Sequence, residues 1–171
     1  GDVDAFPRIG VRSVAQFQSD PRFQVLISGS RVKTILSINN IRPPLNDVRV
    51  RRALAAAIDR QAVITGAAEG FGVPIGSHYT PNAPGYIDTT GINPFNPERA
   101  RQLLQEAGVT LPLKLHMTLP PTPYARQGGE VIAAQLAQVG VQVQLINVEW
   151  AQWLRQTYGA KQYDLTLISH V

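Results

Sequence analysis

Histidines, a serine near a lysine, clustered glycines and clustered arginines are the features of this chain whose chemistry could carry a function. His78, His116 and His170 could each move a proton or ligate a metal. They are widely separated, without the four-residue spacing that sets two histidines on one helical face around zinc, and the chain has no cysteine to complete a site. Ser30 and Lys33 form S-x-x-K, in which a lysine could activate a serine nucleophile, but no companion motif surrounds them. Gly70, Gly72 and Gly76 approach a dinucleotide-binding loop. Their spacing is G-x-G-x-x-x-G, Pro74 interrupts it and no strand precedes it, so the free amides a pyrophosphate requires are not expected. Arg49, Arg51 and Arg52 make a basic cluster, yet Asp47 and Asp59 lie close by and no aromatics interleave, which favours a solvated helix face over nucleic acid. The carboxylates show no pairing by spacing suited to acid and base work. No catalytic residue, metal or cofactor is therefore expected.

The elements that must position any site follow from periodicity and punctuation. Val11 to Ser19 predicts a short helix closed by Asp20-Pro21. Phe23 to Ile27 and Lys33 to Ile38 read as two strands joined by a turn at Ser28, Gly29 and Ser30. After Pro43-Pro44, Asn46 or Asp47 caps a helix whose stripe is Val50, Ala53, Leu54, Ala57 and Ile58. Asp59 caps a continuation through Ala62, Val63 and Ile64, which Gly66 is expected to end. Residues 66 to 96, rich in glycine and proline, predict a long ordered loop or arm, and loops of that length tend to carry function. Asn96-Pro97-Glu98 starts the next helix, with Ala100, Leu103, Leu104 and Ala107 facing the core and Gly108 closing it.

The last third predicts a βαβ unit: an alternating strand at Leu113 to Leu119, a helix marked by Ile132, Leu136 and Val139, and a second alternating strand from Val141 to Leu145. A short helix holding Trp150, Trp153 and Leu154 ends at Gly159, and Tyr163 to Ile168 returns as a strand. Trp150 follows Glu149 at a strand end, the edge of an open α/β sheet where ligands bind, whereas Trp153 is expected in the core.

Composition bounds the class. At 171 residues, 44% hydrophobic and 16% charged, the chain is one folded domain rather than a disordered or fibrous segment. No apolar run approaches a membrane span, and no secretory leader pattern is visible. The net charge of +4 names no partner. Because the chain begins at Gly1 without methionine and stops at Val171 within an apolar run, a piece of a longer protein is expected.

Asn39-Asn40, then R-P-P-L-N-D-V-R-V-R-R-A-L-A-A-A-I-D-R, N-P-E-R-A-R-Q-L-L-Q-E-A-G, I-A-A-Q-L-A-Q-V-G-V-Q-V, E-W-A-Q-W-L and Q-Y-D-L-T-L follow one another in an order that resembles the family 5 extracellular solute-binding proteins. These are the peptide, dipeptide and nickel receptors of ABC importers. The resemblance spans nearly the whole chain and implies one lobe of a type II periplasmic-binding-protein fold, a mixed sheet flanked by helices. It implies that residues 1–37 hold the end of the first lobe, around Gly1 to Phe6, and a hinge-crossing segment. Residues 38–171 would form the second lobe, ending in a hinge strand. Trp150 matches the tryptophan of the family's E-W motif, which lines the pocket. His170 falls where many members carry a glycine-tryptophan pair, so a polar or anionic ligand group becomes more plausible there. Asn40 matches an asparagine at the hinge crossing, Tyr124 is a further candidate from its loop position, and the acidic residue that pairs with a peptide's amino terminus would lie beyond Val171. The implied partners are a peptide or other small solute, an ABC permease, the first lobe of the same protein, and a second copy through exposed hinge strands. The implied location is the periplasm or the outer face of a bacterial cytoplasmic membrane. A small α/β hydrolase or transferase fragment, and a sensor or scaffold module reusing the lobe, are the alternatives.

Overall fold

The structure is a computed structural model and describes residues 3–7 and 9–171. Gly1 and Asp2, part of the expected first-lobe segment, lie outside the described residues. Helix α1 (Val11–Gln18) precedes strand β1 (Lys33–Ile38), and two helices follow, α2 (Val48–Ala56) and α3 (Arg60–Ala68). A long arm, regular only in a 3₁₀ turn at Thr90–Ile92, leads to α4 (Pro97–Glu106). Then come β2 (Leu113–Leu119), α5 (Pro123–Ala137), β3 (Val141–Asn147), α6 (Trp150–Gln152) and β4 (Leu165–His170). Helix α6 continues through Trp153–Gly159 with π spacing, a widening often found near functional sites.

The four strands form one sheet in the order β1-β4-β2-β3. β4 runs antiparallel to β1 and parallel to β2, and β2 runs parallel to β3. The carboxyl ends of β2, β3 and β4 therefore share one edge with the amino end of β1. Alternation decides the faces: Leu113, Leu115, Met117, Leu119, Val141, Leu165 and Leu167 join Val50, Leu54, Leu104, Ile132 and Leu136 in a single buried core beneath α2, α4 and α5. The opposite face bears Lys114, His116, Gln142 and Gln144, all exposed. Trp153, Val148 and Ile168 make a small second cluster there.

Local chemistry sets the helix starts. Asp47 accepts the amide of Arg49 at 2.8 Å, Asp59 accepts those of Gln61 and Ala62, and Asn96 accepts that of Arg99. The Arg49 guanidinium and amide hold the Asp47 carboxyl below its usual range. Arg51 donates to the carbonyls of Leu45 and Asn46, so part of the basic cluster ties down the turn before α2.

Two expectations are corrected. Phe23 to Ile27 is not a strand: β1 is an edge strand, and among the described residues no segment folds back to pair with it there. β-branched residues become a strand only where an edge and a covering layer exist, and Leu26 remains 83% exposed. Gly66 does not end α3, which closes at Glu69 in the left-handed conformation (φ 49). A Cβ at Gly66 would lie 2.9 Å from Val131 Cγ2, so the glycine lets α3 approach α5.

Asn39, 5% exposed, closes the sheet at the amino end of β4. Its Nδ2 donates to the carbonyls of Lys161 and Tyr163, both at 2.9 Å, and its amide donates to the Asp164 carbonyl. Asn39→Ala removes two hydrogen bonds to partly buried carbonyls and is expected to cost about 2 kcal/mol. A urea midpoint shift gives the measure, and Asn39→Asp, which cannot donate, should fare no better.

Candidate functional site

The shared edge gathers Tyr124, Arg126, Glu149, Trp150, Ser169 and His170. Pro123 opens α5 directly after β2, which places Tyr124 and Arg126 on the first turn of the helix. β2 stops at Leu119, so the next rungs of β4 have no strand partner on that side. The Tyr124 hydroxyl takes the missing place by accepting the Ser169 amide at 3.1 Å. Across the same residue, Ser169 Oγ and Thr34 Oγ1 lie 2.8 Å apart and join β4 to β1. His170, exposed, is paired in register with Lys33.

Trp150 is 42% exposed and rests edge-on against Trp153, with ring centroids 5.9 Å apart at 83°. Trp153, 4% exposed, supplies the rigid support. Its indole N–H donates to Thr166 Oγ1 at 3.0 Å, and that hydroxyl donates to the Thr118 carbonyl at 2.6 Å. Tyr158 stacks on its other side at 6.0 Å. The core position expected of Trp153 is thus observed, and Trp150 is offered to solvent on a fixed platform. Arg126 and Glu149 face each other loosely at 3.8 Å beside it. This is an open shelf that can cover an apolar or amphipathic group on one side, with charges at its rim.

Asn40 is not brought to this edge. It is exposed and lies past the carboxyl end of β1, roughly 20 Å from Lys33 along the strand at about 3.3 Å per residue. His78 sits exposed in the arm, Ser30 accepts the Val32 amide, and among the described residues no three metal-ligating side chains converge.

Sequence reasoning missed a second cluster. Asp164, nearly buried, accepts the His116 amide at 2.9 Å through Oδ2, which is also 3.3 Å from His116 Nδ1. Its Oδ1 pairs with Arg42 Nη1 at 3.0 Å. His116 and Arg42 border a concavity of about 450 Å³ on the outer face of the sheet. Alternation of His116 with core residues was visible in the sequence, but its partner is far along the chain and only the β2–β4 register brings the two together.

The model of bacterial extracellular solute-binding proteins, family 5, middle region, matches residues 1–171. The chain belongs to this family. Within it, the dipeptide-binding protein of Escherichia coli is 35% identical over 160 residues, which cover 91% of this chain and 30% of that protein. Heme-binding protein A of Haemophilus influenzae is 29% identical over 170 residues, 96% of this chain and 30% of its own length. This family 5 chain thus spans about 30% of the length of these relatives. Among solved structures, the ABC transporter-associated periplasmic binding protein DppA of Helicobacter pylori, in complex with peptide STSA, superposes with a TM-score of 0.84 at 24% identity. The match covers 95% of this chain and 31% of that one. The expected fold class is borne out: the mixed sheet with its helices is part of a periplasmic-binding-protein fold.

Proposed function

We propose that this chain is the second lobe of a solute receptor for an ABC importer, capturing a peptide or related small solute between two lobes on the outer side of a bacterial cytoplasmic membrane. Relatives named for binding dipeptides, di- and tripeptides and heme support a small-solute cargo. The observation that carries the reading is Trp150, exposed on its Trp153 support at the edge where the amino end of β1 and the carboxyl end of β4 lie side by side. Two strands meeting there form a natural double crossing to a first lobe, and Trp150, Tyr124 and His170 line the side of the cleft this lobe contributes. Asn40, at the far end of β1, would then act away from the cleft. β1 is bonded to β4 along its whole length, which supports counting Lys33–Ile38 with the second lobe. Ligand shifts the open and closed arrangements because only the closed form surrounds it, and binding requires no covalent chemistry. The permease receives the closed form. The outer edge of β1, unpaired among the described residues, is a surface on which a second copy could add a strand.

Titration calorimetry with a dipeptide panel tests this. The full-length receptor should bind a member of the panel, and Trp150→Ala should weaken it by at least about tenfold, near 1.4 kcal/mol. The 171-residue lobe alone should bind no tighter than roughly millimolar, about 4 kcal/mol, because it offers half the contacts. Unchanged affinity in the Trp150 variant, or micromolar binding by the lobe alone, overturns the reading.

A further inference from the structure

We propose that the outer face of the sheet carries a second site, for a small carboxylate- or phosphate-bearing ligand, in the concavity of about 450 Å³ flanked by Arg42 and Lys161. It shares no residue with the carboxyl edge. The volume falls in the range of small-ligand sites. Charge selects the ligand. Asp164 is the carboxylate beside the concavity, and both its oxygens are already engaged, Oδ1 by Arg42 and Oδ2 by His116. Arg42 reaches Asp164 through Nη1 and its side chain is half exposed, so its guanidinium fork can also meet a planar oxyanion. Lys161 makes no ion pair among the described residues, and its ammonium lies 4.8 Å over the Tyr158 ring.

The backbone that carries Lys161 is also held in place. Lys161 takes the left-handed conformation (φ 57), its carbonyl is bound by Asn39, and the amide of Gln162 donates to the Gln156 carbonyl. Little loop ordering is then left to oppose binding. Ile146 and Thr118 supply a short floor for the ligand's apolar part. The exposed Lys114, Gln142 and Gln144 along the same face fit a surface that meets water rather than another protein layer.

The test uses the full-length receptor, with inorganic phosphate and citrate as probes, titrated by calorimetry at constant ionic strength in chloride. At least one probe should saturate, and the tighter of the two assigns phosphate or carboxylate chemistry. Lys161→Gln should weaken it about fivefold or more, the scale of one lost charge contact, while Lys161→Arg stays within about twofold. Lys114→Gln, on the same face outside the concavity, should leave affinity unchanged. Failure of both probes to saturate, equal affinity in Lys161→Gln, equal losses in the glutamine and arginine variants, or a matching loss in Lys114→Gln overturns the proposal. Peptide affinity at the carboxyl edge is not the readout, so the two readings fail separately.

Discussion

Replacing Trp153 with alanine is expected to lower stability by about 4 kcal/mol, within the range for deleting a buried tryptophan and a large part of the 5–15 kcal/mol that holds a typical domain together. Two losses combine. The indole packs against Val148 and Ile168 on the outer face, and its removal leaves a cavity between them and the sheet that the surroundings fill only in part. Its N–H also supplies the donor that satisfies Thr166 Oγ1, so the variant leaves a buried hydroxyl without one of its partners. Trp153→Phe separates the effects, since most of the ring volume stays and the hydrogen bond goes, and it should cost only about 1–2 kcal/mol. Urea denaturation of both variants measures the difference. Because Trp150 leans on this ring, Trp153→Ala in the full receptor should also weaken ligand binding, whereas Trp153→Phe should largely preserve it.

Gly129→Val is expected to cost about 3 kcal/mol by overpacking. Helix α5 lies so close to the sheet that a Cβ at Gly129 would sit 2.6 Å from Leu119 Cδ1, and one at Gly128 would sit 2.8 Å from Leu167 Cδ2. Leu119 is fully buried, so any shift of its side chain must displace core neighbours. Valine is a somewhat better helix former than glycine, which returns about 0.3 kcal/mol and leaves the sign unchanged. The displaced first turn would carry Tyr124 away from Ser169, so the amide of Ser169 should exchange with solvent faster in the variant. A thermal midpoint within about 1 °C of the parent would contradict the packing argument.

What the sequence revealed divides along the reach of each interaction. The caps at Asp47, Asp59 and Asn96, the core stripe of α2 and the βαβ alternation were legible because each depends on residues a few positions apart. The false strand at Phe23 to Ile27 fails for the complementary reason: its composition is right, but a strand needs a distant edge. Tyr124 was picked from its position in a loop, and its bond to Ser169 depends on where β2 stops relative to β4, a quantity no local pattern carries. In the Asn39-Asn40 pair, the resemblance drew attention to the second asparagine, while the register gives the first one the carbonyls of Lys161 and Tyr163. The Asp164 cluster was illegible for the same reason, since His116 and Arg42 reach it from two other elements.

The near-perpendicular contact of the two indoles has a spectroscopic consequence. Trp150 and Trp153 are the only tryptophans in the chain, and at 5.9 Å their electronic transitions couple strongly enough to split into a circular-dichroism couplet in the far ultraviolet. The sign and size of that couplet depend on the mutual tilt of the rings. With Trp153 buried and Trp150 partly exposed, cargo that tilts the outer ring would write its arrival into the optical activity of the polypeptide, without any added label.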